Sequence, residues 1–173
     1  MLQVRIAILG VLMAAALGCK QNDGSNAPTG PIPATTVAPI TYAQDAGVSA
    51  DVRAECGLET KIPEYIAKSA PGLTPGAAGG SGRVLAMEIT QVMGAGGGMW
   101  SGPKQIVMSG TLTENGAVIG SFKARRTTTG GAWGGYKGTC SLLDRCGEAL
   151  GGDIGAWLHS PTTDAKLGEL GGD

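Results

Sequence analysis

The dipeptide Asn115-Gly116 stands between two runs, Lys104 to Glu114 and Ala117 to Thr128, in which apolar and polar residues alternate. A two-residue type I′ turn needs positive φ at both central positions, and Asn and Gly tolerate it best. Asn-Gly between alternating runs therefore specifies a β-hairpin. A third alternating run, Arg83 to Met93, precedes the pair, with Leu85, Met87 and Ile89 on one side and Val84, Ala86, Glu88, Thr90 and Val92 on the other. Chained through the loop Gly94 to Pro103, the three runs make an antiparallel meander. An unbulged turn sets Leu112 opposite Ile119 and Ser109 opposite Phe122. Ile106, Met108, Leu112 and Ile119 then share one apolar face, and Val107, Val118 and Phe122 lie on the other. Arg125 and Arg126 end the third strand.

Helical signals flank this meander. Ser49 suits an N-cap, and Val52, Cys56, Ile62 and Ile66 line one face, interrupted by Gly57 and Pro63. Pro63 fits only near a helix start, so the spacing predicts a turn over Ala50–Cys56 and a helix over Thr60–Ser69. After the meander, Leu143, Cys146, Leu150, Ile154 and Trp157 fall at spacings of 3, 4, 4 and 3, one helical stripe that Pro161 ends. Ser141 with Asp144 is similar to a capping box. Gly147, Gly151 and Gly155 form a second row on that helix, each costing about 1 kcal/mol against alanine. Such a row implies close approach of another helix or of the sheet; the alternative is loose glycine in a chain that holds 31 of them. The expected fold class is α+β: an antiparallel three-stranded meander, with Ile40–Tyr42 a candidate fourth strand, packed against two helices in a two-layer sandwich.

The pattern Gly-Gly-x-Trp-x-Gly-x-Lys occurs twice, at Gly97–Lys104 and Gly130–Lys137, 33 residues apart. In a meander, the loop after the first strand and the loop after the third open at the same end of the sheet, about two strand spacings or roughly 10 Å apart. Trp100, Lys104, Trp133, Tyr136 and Lys137 are therefore expected in one cluster. Aromatic rings on glycine loops beside lysines suit stacking on a glycan or docking to an envelope protein. The opposing reading folds Trp100 and Trp133 back over the open end of the core.

The N-terminus fixes the compartment. Arg5 precedes an apolar run, Ile6 to Leu17, that is too short to span a bilayer but matches a signal-peptide core. It ends in Ala15-Ala16-Leu17-Gly18-Cys19, which resembles the lipobox of bacterial lipoproteins, with Ala16 where leucine is usual. The resemblance implies cleavage before Cys19, lipidation of Cys19 with palmitate among its acyl chains, and, with Lys20 rather than Asp next, the periplasmic face of the outer membrane. Multiple acyl chains make a stable anchor where one does not. The expected layout is a signal peptide over 1–18, a flexible tether over 19–39, one domain over 40–160, and a frayed tail over 161–173. The motifs "MGAGGGMWSGPK" and "GGYKGTCSLLDRC" resemble a family of uncharacterised proteobacterial lipoproteins, which implies no known activity. The layout is also similar to small envelope lipoproteins with TolB N-terminal or curli-secretion-type domains.

Export permits disulfides. Of the four cysteines, Cys56, Cys140 and Cys146 remain after lipidation. Antiparallel succession brings both helix starts to the same end of the sheet, and Cys140 lies on the side of the glycine row, where close approach is expected, which favours Cys56–Cys140, with Cys56–Cys146 the near alternative. Cys140–Cys146 is disfavoured by about 9 Å of helical rise. Losing Arg5 from 13 basic residues leaves 12 against 14 acidic, a net charge near −2. That offers no electrostatic footprint for nucleic acid. The single histidine, His159, reads as solvent-facing beside Pro161, and Asp144, Glu148 and Asp153 read as a solvated helix face. The glycines at 94–98 are followed by Pro103 and a strand rather than a helix, so they match neither nucleotide-binding fingerprint. No cofactor, metal site or catalytic constellation is expected. The sequence reads as a non-catalytic envelope binding or assembly module, with a self-associating structural lipoprotein, its tryptophans buried, as the alternative; it leaves the oligomeric state open.

Overall fold

Asn115 and Gly116 have φ of 50° and 84°, the positive values a type I′ turn demands, and the hairpin they close is the centre of the structure. The computed structural model describes residues 30–76, 81–94, 103–129 and 138–172. In chain order these form β1 (Thr35–Val37), β2 (Thr41–Tyr42), α1 (Ala50–Cys56), α2 (Leu58–Ser69), β3 (Leu73–Pro75), β4 (Arg83–Met93), β5 (Lys104–Glu114), β6 (Ala117–Thr128), α3 (Thr139–His159) and β7 (Ala165–Gly168). The sheet runs β3-β1-β4-β5-β6-β7, with β2 also on β4.

The meander β4-β5-β6 is antiparallel as expected, but it is the core of a mixed seven-stranded sheet, not the whole of one. β1 and β2 pair in parallel with β4, β3 in parallel with β1, and β7 in parallel with β6. There are three helices among the described residues rather than two, because α1 is a full helix. Ser49 Oγ accepts the Val52 N–H, and Gly57, at φ 57°, ends α1 and begins α2 in one residue. α2 starts at Leu58, so Pro63 sits inside it, and the Glu59 carbonyl loses its helical donor. α3 starts at Thr139 behind Gly138, which places Ser141 inside the helix, and no side chain caps its start.

The unbulged register is corrected by one residue. Leu112 faces Gly120, Ser109 faces Lys123 and Gly110 faces Phe122, with an irregularity between Leu112 and Thr113 that leaves Ile119 as the extra residue. The bulge turns Phe122 onto the helix-covered face. There its ring meets Trp157 edge-on with centroids 5.0 Å apart. Gly110 and Gly120 make room: a Cβ on Gly110 would collide with the Phe122 ring, and one on Gly120 would lie 2.7 Å from Trp157 Cζ2. A second irregularity in β4, at Thr90, brings Val92 onto the inner side with Leu85, Met87 and Ile89.

Inner residues of β4, β5 and β6 and the α3 stripe Leu143, Cys146, Leu150, Ile154 and Trp157 form one core, which α2 extends through Leu58, Ile62 and Ile66. The glycine row of α3 is where α2 packs. A Cβ on Gly151 would collide with Tyr65 Cβ and lie 2.8 Å from its carbonyl carbon; one on Gly155 would lie 2.5 Å from Ser69 Cβ. The row is therefore occupied within the molecule and offers no surface for self-association.

Both ends of the domain extend past the expected limits. Ile32 is buried and its N–H donates to the Pro71 carbonyl at 2.9 Å, so the folded part begins within the stretch read as tether. The segment read as a frayed tail instead supplies β7. Its successor Glu169 accepts from Thr127 N–H and Thr127 Oγ1, both at 2.8 Å, and Trp157 Nε1 donates to the Thr162 carbonyl. Polarity misled here because a few apolar residues, Ile32, Ala165 and Leu167, join the core while backbone pairing and side-chain hydrogen bonds hold the polar residues around them.

Candidate functional site

The register fixes which end of the sheet holds the described flanks of the doubled phrase. Met93, at the exit of β4, pairs with Gln105, and Lys104, at the entry of β5, pairs with Thr128 at the exit of β6. Thr139 starts α3 at this same end, since a Cβ on Gly94 would lie 3.6 Å from both Thr139 Cγ2 and Leu143 Cδ1 and 3.7 Å from Val52 Cγ1. The described flanks of both phrases thus meet at one edge of the sheet. Trp100, Trp133, Tyr136 and Lys137 themselves lie outside the described residues, as does Cys19.

Lys104 is described, and it is fully buried. It was expected to project with the aromatic cluster; instead it sits under that end of the sheet, on the inner side of β5 with Ile106 and Met108. The Cys146 thiol donates to the Lys104 carbonyl at 3.7 Å. The strand alternation explains the placement: Lys104 shares the parity of Ile106, Met108 and Leu112, all completely buried. The Lys104 side chain is not exposed at the surface in this structure.

Cys56 and Cys140 form a disulfide with Cα atoms 4.9 Å apart, which joins the end of α1 to the start of α3 beside the phrases. Cys146 is left in the core as a thiol.

Three polar groupings escaped the sequence reading. Arg126 Nε and Nη2 donate to Asp153 Oδ2 and Oδ1 at 2.7 and 2.6 Å, a bidentate pair with side chains 8% and 19% exposed. Asp153 is thus no solvated helix residue. Asp144 accepts from the Tyr65 hydroxyl at 2.7 Å and lies 3.1 Å from Lys61 Nζ, tying α3 to α2. Desolvation, then this hydrogen bond, pushes the Tyr65 phenol up to about 12. The Tyr42 hydroxyl donates to Glu59 Oε2 at 2.9 Å, with the Arg53 guanidinium 4.3 Å from its ring centroid; burial, then that bond, raises its phenol above the ordinary value. His159 is half-buried rather than solvent-facing, and its Nε2 has no hydrogen-bond partner among the described residues. The only prior signal for the Arg126–Asp153 pair was that Arg126 shares the parity of Phe122 and Ala124 once the bulge is allowed for.

No family model matches the chain, and no curated protein is significantly similar to it. Among solved structures it is similar to a PelC dodecamer from Paraburkholderia phytofirmans, at 15% identity and a TM-score of 0.45, covering 71% of this chain and 91% of that one. A DUF330-family protein from Xanthomonas campestris gives 10% identity and a TM-score of 0.49, covering 75% and 89%. A minor lipoprotein from Acinetobacter baumannii gives 10% identity and a TM-score of 0.40, covering 76% and 94%. Likeness at this level bears on neither assembly nor role. The TolB N-terminal resemblance is not supported by these neighbours.

Among the described residues no helix is long and apolar enough to cross a membrane, and no three His, Cys, Asp or Glu side chains gather as a metal site would require.

Proposed function

We propose that this protein is a non-catalytic lipoprotein of the cell envelope, anchored through Cys19 at the periplasmic face of the outer membrane. Its doubled phrase serves as a binding or assembly surface for a glycan or an envelope protein. The observation that carries the binding part is the convergence of the flanks: Met93, Lys104, Thr128 and Thr139 lie at one end of the sheet, beside a disulfide that braces the helices there. Loops on a braced scaffold are a common place for recognition residues. The lipobox-like Leu17-Gly18-Cys19 and a disulfide suited to an oxidising compartment support the envelope location. With Lys104 buried, the contact residues are Trp100, Trp133, Tyr136 and Lys137.

Tryptophan emission tests the binding part. Trp157 is buried against Phe122 and supplies the blue-shifted background. Exposed Trp100 and Trp133 add red-shifted, iodide-quenchable emission that changes when peptidoglycan fragments or an envelope extract are added. Emission that is wholly blue, resists iodide and ignores every addition would favour the buried reading.

A further inference from the structure

On the side of the molecule formed by α2 and the β1–β3 edge lies a cleft of about 440 Å³, within the usual range for small-ligand sites. Val37, Ala38 and Ile40 are buried residues of its floor, and α2 presents Pro63 and Ala67 as one wall. Leu73 and Pro75 of β3 make the other wall. The lining is chiefly apolar, and the charge on it is all of one sign, from Glu59 and Glu64. Glu59 is held by Tyr42 and Thr60 Oγ1 already donates to the Gly57 carbonyl, so Glu64 is the exposed carboxylate of the rim.

The backbone at this edge selects against a peptide. Thr35 N–H donates to the Gly72 carbonyl and Gly76 N–H to the Val37 carbonyl. In that parallel ladder Thr74 faces β1, which leaves Leu73 and Pro75 to face outward. Pro75 has no N–H, so the three-residue edge strand holds one outward donor, too few to pair with an added strand. An alkyl chain brings no amide of its own to leave unpaired in the cleft, the outward Leu73 N–H stays at the solvent edge of β3, and burying one apolar chain matches the lining.

We propose that this cleft binds a single alkyl chain bearing a cationic ammonium head, the chain lying over Val37 and Ile40 and the head at Glu64 and Glu59. The site is independent of the doubled phrase at the end of the sheet.

The test uses the chain from residue 19 onward with Cys19→Ser, titrated below the micelle concentration with dodecyltrimethylammonium and, separately, dodecyl sulfate. Backbone amide shifts and calorimetry are read together. The expected result is saturable one-to-one binding of the ammonium amphiphile, with shifts centred on residues 37–40 and 63–67. Dodecyl sulfate binds at least about fivefold more weakly, as one exposed charge contact allows. Ala67→Trp fills the cleft and abolishes binding, while Glu64→Gln, an exposed change that leaves the fold intact, weakens the ammonium ligand by about threefold to fivefold and leaves the sulfate unaffected or improved. Equal affinity for the two head groups, unsaturable binding, shifts centred elsewhere, or tighter binding of a basic proline-containing peptide than of the alkyl chain would each overturn the proposal.

Discussion

Gly151 and Gly152 are neighbours in α3 with opposite surroundings. A Cβ on Gly151 would strike Tyr65, whereas one on Gly152 would meet nothing within 4 Å. Gly152→Ala should therefore stabilise the protein by about 0.5–1 kcal/mol through helix propensity alone. Gly151→Ala gains the same propensity but must push α2 away, at about 1–3 kcal/mol, and should come out destabilised. Urea midpoints of the two variants check this, and a stabilised Gly151→Ala would mean that α2 does not seat on the glycine row. Breaking the Arg126–Asp153 pair with Asp153→Ala removes the bidentate carboxylate partner of a buried guanidinium and should cost about 1–3 kcal/mol, again read from the urea midpoint. Tyr65 adds a pH signature. Its phenol is pushed from the ordinary value of 10.0 up to about 12 by burial and the Asp144 bond, so its contribution is complete below pH 10 and is lost as pH rises toward 12. Tyr65→Phe should flatten that alkaline fall, as thermal unfolding across the range would show. The glycine row and the α3 stripe were legible because helical spacing alone reveals them. Arg126 was not, because its side depends on a one-residue bulge at Ile119 that no pattern of polarity announces.

The hairpin and α3 were legible as elements because their signals are local: two turn residues with positive φ, and a stripe of five apolar residues. The short parallel strands were not. β1, β3 and β7 hold three, three and four residues, too few for alternation to be read; β1 and β7 each form against a longer strand, β4 and β6, and β3 forms against β1. β7 gives the plainest test. Truncation after Pro161 removes β7 and Glu169, and with them the hydrogen bonds to Thr127 and the backbone cover over Arg126 and Asp153. The truncated chain should unfold at lower urea than the full chain, and near-equal midpoints would mean that the tail is dispensable. The Cys56–Cys140 bridge spans 84 residues of sequence. Its reduction, or Cys56→Ser with Cys140→Ser, should cost about 2–5 kcal/mol on a chain-entropy view. The same lesion leaves α1 untied from α3, so loss of protection should appear first in α1 by hydrogen exchange.

At the scale of the whole molecule, the described flanks of the doubled phrase, Met93, Lys104 and Thr128, lie at one end of the sheet, and Ile32 joins Pro71 beside the start of β1 at the other. This arrangement follows from topology, whereas the choice between glycan and protein depends on residues of the phrase and was never written in the fold. The envelope placement proposed for the molecule rests on Cys19. The most direct measurement is the intact mass and membrane partition of the wild-type protein and of Cys19→Ala, expressed in a Gram-negative host. The account predicts a wild-type protein that begins at Cys19, carries acyl chains and sediments with the outer membrane, and a Cys19→Ala protein that lacks the lipid mass and is not retained there. A wild-type protein recovered without lipid in the soluble fraction, with an N-terminus other than Cys19, would contradict it.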